Sequence, residues 1–187
     1  MDVGFEYGIL WVMEPGFVQT QRLDLRPLPL PAYHLIAEGR QTDAEELLGI
    51  SLDGFRVADL LRLVRYRLEQ LKTDPTQLPW LIHLMILRER PTVVGDIGFH
   101  GPPDENGIVE IGYTVCEGFR RQGFATEAAT GLARWAGTQP GVRGLRASIS
   151  PTNAPSLALT ARLGLVEVGS QMDEIRGKEL VFEGPVP

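Results

Sequence analysis

Hydrophobic and polar positions follow two different periods along the first half of the chain, and each period predicts an element. At residues 21–27, two leucines alternate with charged side chains, which predicts a strand with one buried face. At residues 55–71, apolar residues recur at helical spacing opposite several arginines, which predicts an amphipathic helix with a solvated basic face. Two shorter helices are predicted between them, at residues 32–38 and 43–48.

The pattern then changes to the period of two that is typical of strands. Strands are predicted at residues 80–87, 92–99 and 108–115, and the short polar turns between them predict an antiparallel meander. After these come, in order, a helix, a strand, a second helix and two last strands, at residues 126–138, 145–149, 153–163, 165–168 and 179–182. This order predicts a mixed α/β arrangement on one sheet.

Composition and charge argue against several classes of protein and of site. The 187 residues are 43% hydrophobic and 22% charged, which favours one folded domain over global disorder. The net charge of −6 disfavours a dedicated nucleic-acid binder. The single cysteine, Cys116, excludes an internal disulfide and a cysteine zinc site.

No apolar run approaches the ~20 residues of a membrane helix, so no membrane partner is expected. The first residues carry Asp2 and Glu6 and lack the basic start of a secretory signal, so a cytoplasmic location is expected. We expect a main domain at residues 20–183 and a frayed tail at 184–187. Residues 1–19 form an apolar extension that either packs on the domain or stays loose, and the cost of wetting its side chains favours packing.

The segment from residue 110 to residue 136 carries the strongest candidate for a ligand site. A predicted strand enters a loop in which Gly123 lacks a side chain and Ala125 keeps the next position small. Backbone N–H groups of residues 122–126 can then point at one spot, and such a helix N-terminus suits a pyrophosphate. Arg120 and Arg121 add charge for phosphate oxygens. The alternative is a loop that only turns the chain and carries two solvated arginines.

Four blocks of sequence resemble a known family. The spacing Arg120-x-x-Gly123-x-Ala125 resembles the acyl-CoA signature of the GNAT superfamily of N-acetyltransferases, and its surroundings resemble the branch of the RimJ and RimL ribosomal-protein acetyltransferases. The block TQRLDLRP at residues 20–27 resembles the opening strand of that branch. The block SPTNAPS at residues 150–156, followed by RLGL at 162–165, resembles its second motif.

The resemblance implies a fold, a cosubstrate and a reaction. The fold is a single mixed, mostly antiparallel twisted sheet with a central splay and helices on both faces. Acetyl-CoA lies in the splay, and its pantetheine pairs with the strand end at Tyr113 and Val115. Its pyrophosphate sits on the loop and the start of the next helix, at Arg120, Arg121, Gln122, Gly123, Phe124, Ala125 and Thr126. The acetyl group passes directly to a primary amine, on a protein N-terminus or a small molecule, and no metal is expected.

The resemblance also suggests which residues carry the reaction. Glu110 is the first candidate for the base, acting through a water or only attracting the ammonium, and the alternative is an exposed strand carboxylate. Ser156 is the candidate for protonating the thiolate, and Asn153 binds pantetheine or caps the helix. The backbone N–H of Val115 or Cys116 is the expected oxyanion donor.

One departure from the family pattern leaves a second function open. Thr160 stands where many GNAT enzymes have a tyrosine acid, and Leu165 replaces the usual phenylalanine. A threonine is a poor acid, so a catalytically inactive acyl-CoA-binding sensor or regulatory module is the alternative to an active enzyme. The apolar N-terminal segment or an edge strand could also serve a homodimer.

Overall fold

The structure, a computed structural model, describes residues 15–55, 57–174 and 177–187. The strands in this part of the chain are β1 (Val18–Gln19), β2 (Leu23–Pro27), β3 (His83–Leu87), β4 (Thr92–Phe99), β5 (Ile108–Val115), β6 (Gly144–Ile149), β7 (Val166–Asp173) and β8 (Gly177–Gly184). The helices are α1 (Leu30–Ala37), α2 (Gln41–Leu48), α3 (Val57–Thr73), α4 (Phe124–Gly137) and α5 (Ala154–Arg162). Two 3-10 segments, Pro75–Trp80 and Glu117–Phe119, precede β3 and α4.

The strands form one open sheet in the order β1-β2-β3-β4-β5-β6-β8-β7. Neighbouring strands are antiparallel except β5 and β6, which are parallel. These two pair only from Ile108↔Gly144 to Glu110↔Arg146, although both strands continue beyond that point. The sheet therefore splits after Glu110, and this confirms the mixed, mostly antiparallel fold with a central splay.

Each face of the sheet is covered by helices. On one face, α4 and α5 pack on the sheet, and the buried alanines and Leu132 of α4 let the helix lie close to the strands. On the other face, α1, α2 and α3 enclose a second apolar cluster with side chains of β3 and β4. Helices on both faces are what the resemblance implied. None of the described helices combines the length and apolar character that a membrane crossing requires.

The predicted boundaries differ from the observed ones at β3, which follows a proline-containing segment, and at the β7–β8 hairpin, where β7 has no buried face. Trp80 was expected in β3, but it ends a 3-10 segment that contains Pro75 and Pro79 and is capped by Asp74, which accepts from the Thr76 N–H. The hairpin of β7 and β8 is longer than predicted. Almost every residue of β7 is exposed, so the strand shows no apolar alternation that sequence could detect.

The basic face of α3 was expected to be solvated, and at Arg67 this was wrong. Arg67 is only 7% exposed. Its Nη1 donates to the carbonyl oxygen of His100 and to Oε1 of Gln70, both at 3.0 Å. The helix turns this arginine toward the end of β4, where a backbone carbonyl needs a donor.

The described residues nearest to each end of the chain contact the domain. Of the proposed extension, residues 1–14 lie outside the described part, while Val18 pairs with Leu25 in the sheet. The carbonyl oxygen of Gly16 lies 3.0 Å from Nε2 of His83, which is fully buried. At the other end, the predicted frayed tail contacts the core through Val186.

Replacement of Gly98 by alanine is expected to destabilise the fold. A Cβ atom there would lie 1.8 Å from the carbonyl oxygen of Leu81 and 2.6 Å from its carbonyl carbon, so backbone must shift. We expect the free energy of unfolding, measured by urea denaturation, to fall by roughly 1–3 kcal/mol or more. Gly169→Ala is the matched control, because Gly169 also lies in a strand but has nothing within 4 Å of the added atom. Equal losses in both variants would contradict this packing argument.

Candidate functional site

The hydrogen-bond register of β4 and β5 directs alternate peptide groups of β5 into the split. The His100 N–H donates to the Glu110 carbonyl and the Cys116 N–H donates to the Val94 carbonyl, at 2.8 and 2.9 Å. Even-numbered residues of β5 therefore bond to β4, and the peptide groups of Tyr113 and Val115 face the opposite way. Because β6 has already diverged, these groups lie along the open edge of β5.

The same register corrects one expectation. The Cys116 N–H was a predicted oxyanion donor, but it is already bonded to Val94. The Val115 N–H points to the split and is the predicted donor that remains. The Cys116 side chain is buried, and burial raises the pKa of its thiol to about 11, an effect that the nearby Asp96 carboxyl reinforces. Cys116 is thus a small buried residue, as expected.

The loop after β5 bends twice before α4 begins. Arg121 and Gly123 both have left-handed backbone angles, with φ of 60° and 83°. Gly123 is the N-cap of α4, and no side chain of the described residues caps this helix by a hydrogen bond. Arg120 turns back, and its Nε donates to the Val115 carbonyl at 3.1 Å. The first-turn N–H groups of α4 are therefore left for a ligand or for solvent.

Two residues that sequence reasoning did not single out hold this loop, and we call them the Arg22–Glu127 clamp. Arg22 Nε donates to Glu127 Oε2 at 2.7 Å, and the Arg22 N–H donates to Oε1 at 2.6 Å. The same guanidinium donates to the Gln122 carbonyl and lies 4.4 Å from the centre of the Phe124 ring. Thr20 adds a hydroxyl donor to Glu127 at 2.6 Å. The turn before β2 thereby fixes the loop and the first turn of α4 together.

The clamp also sets the ionisation of Glu127. Burial acts to raise the pKa of this carboxyl, but the hydrogen bonds from Thr20 and Arg22 outweigh it and hold the pKa below its ordinary value. A groove of about 830 Å³ begins beside Gly123 and Thr126 and runs along α4. A ligand held at the helix start can extend into this groove.

Across the split, the Tyr113 hydroxyl donates to Ser156 Oγ at 2.9 Å. Burial raises the pKa of Tyr113, and the hydrogen bond to Ser156 opposes that rise. Asn153 is the N-cap of α5 and accepts from the Ser156 N–H, which is the simpler of its two predicted roles. Thr160 is buried, and its hydroxyl donates to the Leu157 carbonyl. Sequence alone did not indicate the pairing of Tyr113 with Ser156, which joins residues 43 positions apart.

Glu110 lies on the opposite face of β5, at the point where the split begins. Its carboxylate is 20% exposed and 3.6 Å from Nδ1 of His100. Its parallel-strand partner Arg146 makes ion pairs with Glu183 and Asp104, at 2.7 and 3.5 Å. Glu110 therefore belongs to a partly exposed charge network, and the structure does not place it close to Tyr113 and Ser156, which lie on the side of the sheet that α4 and α5 cover.

A cavity of about 130 Å³ lies on the same face as Glu110, between α3 and strands β4 and β5. It is lined by Asp96, Arg67, His100, Gly112 and Thr114 among others. Asp96 is 7% exposed, and burial raises its pKa to about 7, against weaker favourable interactions with Thr114, its own N–H and Arg67. Sequence reasoning missed Asp96, although an acid inside the apolar strand TVVGDIGF was the available signal.

Comparison with known proteins agrees with this geometry. The model of the acetyltransferase (GNAT) domain matches residues 22–166. The uncharacterized N-acetyltransferase YjdG of Bacillus subtilis strain 168 is 28% identical over 150 residues, which cover 80% of this chain and 89% of that protein.

Two solved structures share the fold. Mycobacterium smegmatis RimJ, in complex with CoA-disulfide, has a TM-score of 0.64 at 19% identity, covering 91% of this chain and 88% of that one. The microcin C7 self-immunity acetyltransferase MccE, in complex with acetyl-CoA and AMP, has a TM-score of 0.64 at 16% identity, covering 93% and 98%. At these identities the likeness shows the fold.

We expect Glu127→Gln to weaken the clamp in a pH-dependent way. A carboxyl whose folded pKa is lowered stabilises the fold above its unfolded pKa and loses that effect as the pH falls through the folded value. The melting temperature at pH 7 should fall by roughly 2–4 °C, the shift that ~1 kcal/mol gives at this chain length. The difference from wild type should shrink below pH 4.5, the ordinary pKa of this side chain. Glu46→Gln, at an exposed position of α2, is the control, and a pH-independent difference for Glu127→Gln would refute the assignment.

Proposed function

The chain belongs to the GNAT acetyltransferase family, and we propose that it transfers the acetyl group of acetyl-CoA directly to a primary amine, on a protein N-terminus or a small molecule. The observation that carries the proposal is the open edge of β5. The peptide groups of Tyr113 and Val115 face a split in the sheet, and the uncapped start of α4 follows them along the chain. A pantetheine chain that ends in a pyrophosphate matches this arrangement, because its amides can pair with the peptide groups of β5 and its phosphates can accept from the N–H groups at the start of α4.

The pyrophosphate is proposed to bind the N–H groups of residues 122–126. The two left-handed residues bend the loop onto the helix start, and an atom added at Gly123 would meet only Arg22 Nη2, at 3.5 Å. Arg120 and Arg121 supply positive charge at the rim of this cradle. Phe124 is buried beneath Arg22, so it offers its backbone N–H rather than its side chain, and Ala125 and Thr126 complete the first turn.

The pantetheine is proposed to lie along Tyr113 and Val115. The Val115 carbonyl already accepts from Arg120, so Val115 is proposed to contact the pantetheine through its N–H. Asn153 uses its side-chain oxygen as the helix cap, which leaves its amide NH₂ group to reach the pantetheine. The thioester then lies between Glu110 and Tyr113, near the origin of the split.

The chemistry is proposed to use groups on both faces of the sheet. Glu110 attracts the acceptor ammonium on the side that α3 covers. After attack on the thioester, Ser156 gives a proton to the departing thiolate, and the Tyr113 hydroxyl behind it supports that transfer. In place of the tyrosine acid that Thr160 replaces, the proposed proton donor is Ser156 of α5, supported by Tyr113 of β5.

Acetyl-CoA binding tests the donor site directly. We expect Gly123→Glu to weaken binding by about tenfold or more in calorimetry, because its carboxylate brings bulk and negative charge to the cradle. Gly141→Glu is the matched control, since Gly141 lies beyond the other end of α4, has the same φ of 83°, and an added Cβ there would meet only Pro103 Cγ, at 3.9 Å. Equal affinity in both variants would contradict the proposed pyrophosphate position.

Wild-type turnover decides between enzyme and sensor. Release of free CoA thiol should follow addition of a panel of primary amines and peptides with free N-termini. Binding of acetyl-CoA without turnover across that panel would favour the acyl-CoA sensor instead.

Ser156→Ala is expected to lower kcat by about tenfold or more while the dissociation constant of acetyl-CoA stays unchanged. Tyr113→Phe should lower kcat less, and the double variant should be no worse than Ser156→Ala, because the tyrosine acts through the serine. Steady-state kinetics of the three variants measure this, with Ser170→Ala on the exposed strand β7 as the control. Additive losses would show that Tyr113 and Ser156 act separately.

A further inference from the structure

A buried carboxyl group lies on β4, on the side of the sheet from which the acceptor ammonium is proposed to approach. Asp96 of β4 is directly opposite Thr114 of β5. Its side chain lies on the face of the sheet that carries Glu110 and Thr114, away from α4. Directly opposed, hydrogen-bonded residues of antiparallel strands have Cα atoms ~5.5 Å apart, so Asp96 lies on the strand next to β5, whose other edge borders the split.

The cavity gives Asp96 access to a small ligand. Its walls come from α3, from the chain just before β3 and from the two strands, and the glycines at 98 and 112 add no side chains of their own. Asp96 and Arg67 bring charge into a space otherwise lined mainly by apolar groups and backbone. Arg67 donates to the His100 carbonyl and to Gln70. The cavity is smaller than the ~300–1,000 Å³ of a typical small-molecule pocket, so it has room for the amino group of an acceptor and not for a whole ligand.

We infer that the carboxylate of Asp96 accepts the proton that the acceptor ammonium must lose before it attacks the thioester, an inference that rests on the proposed function. Of the three ammonium protons, one passes to Asp96, one reaches the departing thiolate through Ser156, and one stays on the product amide. The nitrogen forms its bond to the acetyl carbon as the carbon–sulfur bond breaks. Asp96 returns its proton to solvent before the next turnover.

The electrostatic surroundings suit this task. Burial dominates and raises the pKa of Asp96 to about 7, so the group can hold and release a proton near neutral pH. The titratable and charged groups near it come from α1, α3 and the residues that follow β4 and β5, and they are Tyr33, Arg67, His100 and Cys116. Glu110 is paired with His100 and more exposed, which fits a group that draws the ammonium in.

Asp96→Asn tests the inference. The variant keeps the shape of the side chain and removes its ability to accept a proton, so kcat/KM should fall by about 10²-fold or more while acetyl-CoA binding is unchanged. The ratio of wild-type to variant kcat/KM is measured from pH 5.5 to 9, which cancels the ionisation of the acceptor amine. The ratio should rise with pH through about pH 7, where Asp96 ionises in the wild type. Asp59→Asn, at an exposed position of α3, should show a flat ratio near one.

Thermal unfolding separates this role from a structural one. A carboxyl whose folded pKa is raised loses stability as the pH rises from its unfolded pKa of 3.8 toward 7, so wild type carries a buried charge at pH 8 that the asparagine variant lacks. Asp96→Asn should therefore melt at an equal or higher temperature than wild type at pH 8. A structural ion pair with Arg67 predicts the reverse. If Asp96→Asn fails to fold, Asp96→Glu should retain the same pH profile at a lower rate.

The outcomes distinguish the inference from the proposed function. A pH-independent ratio near one for Asp96→Asn overturns the inference and leaves the transferase proposal standing. A second result also overturns the inference: the ratio for Glu110→Gln rises through about pH 7 while the ratio for Asp96→Asn stays flat. The base would then be Glu110. Absence of turnover by folded wild type that binds acetyl-CoA overturns both together.

Discussion

The early end of parallel pairing between β5 and β6 is the constraint on which the rest of the site depends. A strand inside a sheet satisfies its backbone groups on both sides, and β5 loses one of its neighbours after Glu110. The backbone groups of Tyr113 and the N–H of Val115 are consequently available, and a ligand with amide groups can replace the missing strand. The reacting end of such a ligand is then held between two faces, one lined by α5 and the other by α3.

The Arg22–Glu127 clamp fixes the position of the loop at the far end of the split. The loop before α4 contains two left-handed residues, one of which is not glycine, so it needs external support. That support comes from a residue more than 100 positions earlier in the chain. The acidic side chain sits in the first turn of α4, where the helix dipole also favours it. The clamp thus links the edge of the sheet to the loop that is proposed to hold the pyrophosphate.

Local sequence patterns predicted the helices, the strands and the loop, but they did not predict the contacts between residues that are distant in the chain. The alternation in β5 and the spacing around Gly123 are contained in short windows, so the strand, the loop and the helix could be predicted from sequence. The partnership of Tyr113 with Ser156 and the burial of Arg67 depend on how distant elements meet. The wrong assignment of the Cys116 N–H has the same origin, because only strand register decides which peptide groups face the split.

The burial of Cys116 bears on how this protein is handled at the bench. It is the only cysteine in the chain, it is 6% exposed, and its thiol is held in the protonated form at neutral pH. Thiolates, not thiols, react with disulfide chromophores and alkylating agents. The folded protein therefore reacts very little with such reagents. The colour that develops in an assay mixture consequently measures free CoA alone. Sudden labelling of the protein itself reports unfolding.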